Sequence, residues 1–231
     1  MDQLFEQYKD KTVLITGGYG YVGSRLATML SENTKKLYIA SRSNKKLDFN
    51  HTYLHGDINS VPFWDNVMKD LDIVFHLACN PSLDWARKNP DESLLNAVSP
   101  VNSFWKSAYK NKCKPRLIFA SSATVYGLTD IRPVHEDTIP RPISIYDLHK
   151  YFAEHSLSFA SNSEGFEAVA MRFSNVYGPS EQNSGSSDRG ILNMFINKLL
   201  NKQEISLYGH GNYIRDYIFI DDLISGLLIS G

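Results

Sequence analysis

The stretch Thr12-Val-Leu-Ile-Thr16 runs directly into Gly17-Gly-Tyr-Gly-Tyr-Val-Gly23. The first five residues read as a short buried strand. After the glycines, Val22, Leu26, Met29 and Leu30 recur at helical spacing. A strand turning tightly into a helix through spaced glycines constrains the fold more than any other feature of this chain. Gly17 permits the tight turn, Gly20 lets the backbone approach a pyrophosphate, and Gly23 lets the helix pack against the sheet. The start of the helix offers unpaired N–H groups and a partial positive charge to phosphate oxygens. The bland alternative is an ordinary glycine-rich β–α turn.

The same alternation continues downstream. Strands are predicted at Lys36–Ala40, Tyr53–His55, Asp72–Leu77, Arg116–Ala120 and Ala168–Phe173. Helices are predicted over 62–69, 91–110 and 146–163, with Pro100 bending or dividing the second. Strands alternating with helices imply an α/β fold, a Rossmann-type doubly wound parallel sheet. Residues 180–190 are polar and loop-like. Beyond them a helix is expected near 191–201, a strand at Ile205–Tyr208 and another at Asp216–Ile220, leading into a last helix. The expected division is a dinucleotide-binding unit over 1–175 and a partial substrate lobe over 176–231, with about 212–231 returning to the core.

Composition narrows the partners. The 231 residues are 42% apolar and 21% charged, enough for a packed core. With 24 basic and 25 acidic side chains and no long block of one sign, nucleic-acid binding is disfavoured. No apolar run approaches the ~20 residues of a membrane span, so no membrane partner is expected. The N-terminus is polar and lacks a signal-peptide core. Two cysteines, Cys79 and Cys113, form neither a disulfide framework nor a metal motif, so a cytoplasmic protein without a metal is expected.

The end of the second strand bears on the choice of dinucleotide. It reads Ala40-Ser41-Arg42-Ser43, without the acid that usually binds the adenosine ribose. An arginine beside a small hydroxyl residue suits a 2′-phosphate, because its fork grips phosphate bidentately. The cofactor is therefore NAD(P), leaning to NADP, with a surface arginine as the alternative. Asp57 is a candidate for the adenine amino group or a plain turn residue.

Tyr146 and Lys150 name the chemistry. On a helix, residues four apart share a face. Bringing a tyrosine from a pKa near 10 to about 7 takes ~4 kcal/mol. A positive charge ~4 Å away supplies about that at an effective dielectric near 20. Lys150 is thus expected to make Tyr146 a usable base, with Ser122, at the end of the fifth strand, orienting the reacting oxygen. Tyr-x-x-x-Lys alone is a weak signal; its order after Ser122 and the glycine loop gives it weight.

These stretches, together with Gly56-Asp57, His76-Leu-Ala78, Ser121-Ser-Ala-Thr-Val-Tyr-Gly127, Arg172-Phe-Ser-Asn-Val-Tyr-Gly-Pro179 and Arg215-Asp-Tyr-Ile-Phe-Ile-Asp-Asp222, resemble the extended short-chain dehydrogenase/reductase superfamily, in its NAD-dependent epimerase/dehydratase branch. The resemblance implies Ser122, Tyr146 and Lys150 as catalytic residues. It implies cofactor contacts at Gly17, Gly20, Tyr21, Val22, Gly23, Ser41, Arg42, Asp57, Ile58, Leu77, Ala78, Tyr146 and Lys150. Asn96 is similar to the asparagine that supports the active-site helix. Asn175, Arg215 and Tyr208 are implied as contacts to a nucleotide-sugar substrate, and arginine suits a diphosphate better than lysine does. An ion pair of Arg215 with Asp216, Asp221 or Asp222 is the structural alternative. The resemblance also implies a homodimer through the helices flanking the fourth and fifth strands.

Ser-Ser-Ala-Thr-Val-Tyr-Gly is similar to the sugar 4-epimerase type, which takes a hydride from a carbinol carbon and returns it. A 4,6-dehydratase needs an acid and a base where Ala123 and Thr124 stand. An NADPH-dependent keto-sugar-nucleotide reductase is the alternative that Arg42 favours. Similar chains continue past the equivalent of Gly231, so the substrate lobe is expected to be truncated. A non-catalytic, cofactor-bound scaffold is the reading that a short lobe favours.

Overall fold

The computed structural model describes residues 2–42, 47–179, 191–207 and 214–231. A short helix, α1 (Asp2–Glu6), precedes β1 (Thr12–Thr16), α2 (Tyr21–Leu30), β2 (Lys36–Ser41) and β3 (Thr52–His55). Then follow α3 (Val61–Asp65), β4 (Ile73–His76), α4 (Leu83–Lys88), α5 (Pro90–Asn111), β5 (Arg116–Ser122), α6 (Ile145–Glu164) and β6 (Ala168–Phe173). All six strands pair in parallel, in the order β3-β2-β1-β4-β5-β6. This is the doubly wound Rossmann sheet, and its strand order reverses between β1 and β4.

The inner strands β1, β2, β4 and β5 are buried on both faces, and their side chains alternate between two apolar layers. Leu14, Val74, Leu117 and Phe119 face a cluster completed by α3, α5 and α6. Val13, Ile15, Phe75 and Ile118 face the opposite cluster, which contains Leu26 and Leu30 of α2. Trp64 of α3 is the anchor of the first layer. It is 1% exposed, stands edge-on to Phe63 and Phe104, and donates its indole N–H to the Ile58 carbonyl at 2.8 Å.

The chain then leaves the sheet. β7 (Asn175–Tyr177) pairs in parallel with β8 (Tyr217–Phe219), and α7 (Ile191–Leu200) lies between them in sequence. The last helix, α8 (Ile220–Ser230), buries Ile220, Leu223, Ile224, Leu227 and Leu228 in the same layer as α2. Arg25 of α2 grips Asp221 with two hydrogen bonds, 2.8 and 3.0 Å long. α7 buries none of its residues.

Three expectations are corrected. Pro100 does not divide its helix: α5 is continuous through it, and the proline is buried. The Asn96 carbonyl loses only the one donor that proline cannot supply, while packing against α6 holds both sides of the helix. The helix expected over 62–69 ends at Asp65 and resumes as a single 3₁₀ turn at Met68–Asp70. Residues 205–207 form no strand, because no described strand pairs with them, and Tyr208 lies outside the described residues. The loop expected at 180–190 also lies outside them.

Truncating Trp64 removes the largest fully buried side chain and orphans the Ile58 carbonyl. Trp64→Ala is expected to lower unfolding stability by about 3–5 kcal/mol, measured by denaturant titration. A loss below about 1 kcal/mol would show that this layer can collapse around the missing ring.

Candidate active site

The glycine turn is built on close approach. Gly17 has a φ of 72°, and a Cβ there would lie 2.9 Å from the Ala78 backbone at the end of β4. A Cβ on Gly23 would lie 2.3 Å from the Gly17 carbonyl oxygen. The turn is tied by Gly17 N–H to the Ala40 carbonyl and Gly20 N–H to the Gly17 carbonyl. Leu77 and Ala78 close it from β4: the Leu77 N–H reaches the Thr16 carbonyl, and the Ala78 N–H reaches Thr16 Oγ1. Gly20 caps α2 without any side-chain hydrogen bond. The leading N–H groups of α2, at Tyr21, Val22 and Gly23, are the ones a helix cannot satisfy itself. The Tyr21 hydroxyl is committed elsewhere, donating to the Gly178 carbonyl at 2.8 Å.

Ser41 ends β2 partly buried, and Arg42 follows exposed. The Asp57 carboxylate accepts from the backbone and side-chain N–H groups of Asn59, at 3.0 and 2.9 Å. The adjacent Ile58 spends its carbonyl on Trp64.

Across the switch point, β5 ends in Ser122 and α6 begins at Ile145. Ser144 caps α6 by accepting from the Asp147 N–H at 3.1 Å, while Asp147 accepts from the Ser144 N–H at 3.1 Å. This reciprocal box fixes the first turn, and so fixes Tyr146 within it. Tyr146, His149 and Lys150 line a small cleft with Cys79, Asn80 and Asn96. A larger cleft of about 400 Å³ lies among Lys11, Asp72, Lys114, Arg116 and Glu167, at the opposite ends of the strands. Ligands of such sheets bind at the carboxyl ends, so the smaller cleft is the candidate.

The electrostatics depart from expectation. The Lys150 ammonium is buried, donates to the Ala120 carbonyl at 2.7 Å, and sits 4.7 Å from the centre of the Phe119 ring. It stands 5.9 Å from the centre of the Tyr146 ring. Tyr146 is pushed well above the ordinary tyrosine range, first by burial and then by the Cys79 thiol and the Asp147 carboxylate. Burial of the phenolate is the largest contribution, and Lys150 is not among the groups that shift it.

Beneath the site lies a second buried pair. Arg172 of β6 grips Glu154 of α6, the shortest contact being 2.7 Å, and Glu154 also accepts from the Ser121 hydroxyl. At the far edge, Asn175 donates from its backbone and its side chain to the Asp216 carbonyl. Parallel pairing of β7 and β8 therefore brings Asn175 beside the residue that follows Arg215. Arg215 is exposed and donates to the Ile214 carbonyl, and Asp221 is the partner of Arg25.

Residues 13–230 match the NAD dependent epimerase/dehydratase family. The chain belongs to this family. It is 31% identical over 230 residues to a dTDP-4-dehydro-6-deoxyglucose reductase of Escherichia coli, covering 94% of this chain and 72% of the relative. Among solved structures it is similar to the UDP-glucose 4-epimerase of Thermotoga maritima with UDP-glucose, at 28% identity and a TM-score of 0.86, covering 95% of this chain and 72% of that one. It is equally similar in shape to a UDP-N-acetylglucosamine 4-epimerase from Methanobrevibacter ruminantium M1, at 30% identity and a TM-score of 0.86, covering 96% and 73%. No helix among the described residues is long and apolar enough to cross a membrane.

The glycine turn of this epimerase/dehydratase-family chain fits the family's dinucleotide, because side chains are missing where a diphosphate must meet backbone. Three neighbours of Tyr146 escaped the sequence reading: Cys79, Asp147 and His149. Only Asp147 left a signal there, as the fourth residue of the Ser144-x-x-Asp147 box.

His76 sits under the cleft at the end of β4. It is 3% exposed, its Nδ1 lies 2.6 Å from Thr16 Oγ1, and its Nε2 has no partner among the described residues. Burial, with a smaller contribution from Lys150, pulls its pKa down to about 3. Between about pH 6.5 and pH 3 the unfolded chain therefore binds a proton at His76 that the folded chain refuses. Stability must fall as pH falls through that window, by about 1.4 kcal/mol per pH unit for one proton. Unfolding titrations of the wild type and His76→Gln from pH 7 to pH 5 should differ in slope by about one proton. Parallel slopes would place the burden on another group.

Proposed function

We propose that this chain is an NAD(P)-dependent enzyme acting on a nucleotide sugar, with sugar 4-epimerase-type oxidation and re-reduction at a carbinol carbon. The observation that carries the reading is the meeting of Tyr146, Lys150 and the end of β5 at the carboxyl edge of the sheet. The bound cofactor supplies the hydride acceptor and donor. Gly17, Gly20, Tyr21, Val22 and Gly23 hold its diphosphate by backbone, Leu77 and Ala78 border it, and Ser41 and Arg42 meet its adenosine end. Tyr146 Oη takes the proton of the sugar hydroxyl and gives it back. Lys150, anchored on the Ala120 carbonyl, keeps a positive charge beneath the site. Ser122 orients the reacting oxygen, and Asn175 and Arg215 grip the sugar's diphosphate. The two similar solved epimerases support this assignment.

A second reading, an NADPH-dependent keto-sugar-nucleotide reductase, has an observation of its own. Arg42 is exposed at the end of β2, where a 2′-phosphate would lie. The homodimer would use the outer faces of α5 and α6, where Leu94, Leu95, Phe152 and Phe159 are exposed.

Tyr146→Phe should lower turnover of a UDP-hexose by at least about 10³-fold, with cofactor affinity by fluorescence titration unchanged within about twofold. Normal turnover in that variant would overturn the reading, and tight cofactor binding with no turnover in the wild type would favour a scaffold. Arg42→Ala should weaken NADPH about tenfold or more and NADH little, since one charge-assisted contact is worth about 1.5–3 kcal/mol. Equal losses would remove the case for NADP. Net consumption of NADPH with a keto-sugar nucleotide separates the reductase from the epimerase.

A further inference from the structure

The helix that begins at the glycine turn also clasps the strands beyond the main sheet. β7 and β8 form a two-stranded ribbon, in register through Tyr177 and Phe219, and two paired strands have little stability of their own. Two side chains of α2, four residues apart and so on one face, hold the carboxyl ends of this ribbon. The Tyr21 hydroxyl donates to the Gly178 carbonyl, directly after β7, at 2.8 Å, and the Asn193 side chain of α7 meets the same hydroxyl. Arg25 grips Asp221, two residues after β8, by two hydrogen bonds. Gly178 itself is wedged against the end of β8. Its φ is 133°, and a Cβ there would lie 2.7 Å from the Ile220 side chain and 2.9 Å from the Phe219 ring. Whatever holds the Gly178 carbonyl therefore holds both strands.

The first turn of α2 is the weak element of this clasp. Gly20 caps it without a side-chain hydrogen bond, and no acidic side chain stands in that turn. Its leading N–H groups have no partner within the helix. An uncapped helix end frays, and an anion on its N–H groups does what a cap would do. Tyr21 is the first residue of the turn. When the turn frays, the Tyr21 hydroxyl leaves Gly178. When an anion closes the turn, the hydroxyl is held in place.

We infer that Tyr21 couples capture of the dinucleotide to capture of the nucleotide sugar: its backbone N–H serves the first, and its hydroxyl positions the strand that serves the second. Tyr21 is a positioning residue. The inference rests on the proposed roles of the glycine turn and of Asn175 and deepens both. Asn175 lies three residues before Gly178, and its backbone and side chain both donate to the Asp216 carbonyl, next to Arg215. A diphosphate that closes the first turn of α2 thereby fixes, through one hydroxyl, the residues that grip the second diphosphate. The ordering is done once and serves both ligands. Each therefore tightens the other, by the same factor. Arg25 differs in one respect. It holds the ribbon from the helix interior, which fraying of the first turn does not reach, so it steadies the ribbon without carrying the coupling.

Amide hydrogen exchange tests the clasp without a substrate. In the free protein, Tyr21→Phe should speed exchange at the Asn175 amide about two- to tenfold, the factor of one net hydrogen bond. The amides of β1 and β4 should be unchanged. Saturating cofactor, NAD+ or NADP+ whichever binds more tightly, should slow the Asn175 amide in the wild type and in Arg25→Gln but not in Tyr21→Phe. Equal slowing in all three, or faster exchange throughout the main sheet of Tyr21→Phe, would overturn the inference. Calorimetry with UDP supplies the second arm. Saturating cofactor should tighten UDP about two- to tenfold in the wild type and leave it unchanged in Tyr21→Phe. The same gain in both proteins would sink the coupling while the roles of the glycine turn and Asn175 stand. If UDP does not bind the wild type, the reading of Asn175 and Arg215 falls, and hydrogen exchange alone judges the clasp.

Discussion

The contact between the glycine turn and the end of β4 holds the site together. Gly17 brings backbone within van der Waals range of the Ala78 backbone, and Gly23 brings α2 onto the turn. Neither approach leaves room for a Cβ. Once made, they fix α2 against β1, and they fix β1 beside β4 across the point where strand order reverses. Thr16 locks the same junction through its hydroxyl, which meets His76 and the Ala78 N–H.

The helix that carries Tyr146 also carries a row of buried polar groups. Asp147, His149, Lys150 and Glu154 all lie on α6 and are almost wholly buried. Such groups are costly unless paired. Asp147 is paired with Thr124 and Ser144, His149 with Ser93, Lys150 with the Ala120 carbonyl, and Glu154 with Arg172. Those bonds run from α6 to the end of β5, to α5 and to β6, so the helix that carries Tyr146 is pinned on three sides.

Much of this was legible in the chain. The alternation of short β-branched runs with helical spacing specified six parallel strands, because a strand buried on both faces must read as a continuous apolar run. The glycine loop was legible for a similar reason: its residues report a backbone conformation. Pro100 misled because a proline removes one helical hydrogen bond, while the packing of α5 against its neighbours outweighs that loss. Ile205–Tyr208 misled because a β-competent run needs a partner edge. Asp147 and Thr124 were hard to see because their importance is their distance from each other, 23 positions apart in sequence.

By itself the sequence determined the doubly wound sheet, the glycine turn and the candidate residues Ser122, Tyr146 and Lys150, since periodicity and glycine placement are local properties. Only the tertiary structure decided which atom Lys150 serves and where Asp221 finds its partner. Those depend on hydrogen bonds between groups far apart along the chain, and on burial, which sets their strength. Spacing can bring a lysine to the same helix face as a tyrosine. It cannot say that a strand-end carbonyl will claim the ammonium first.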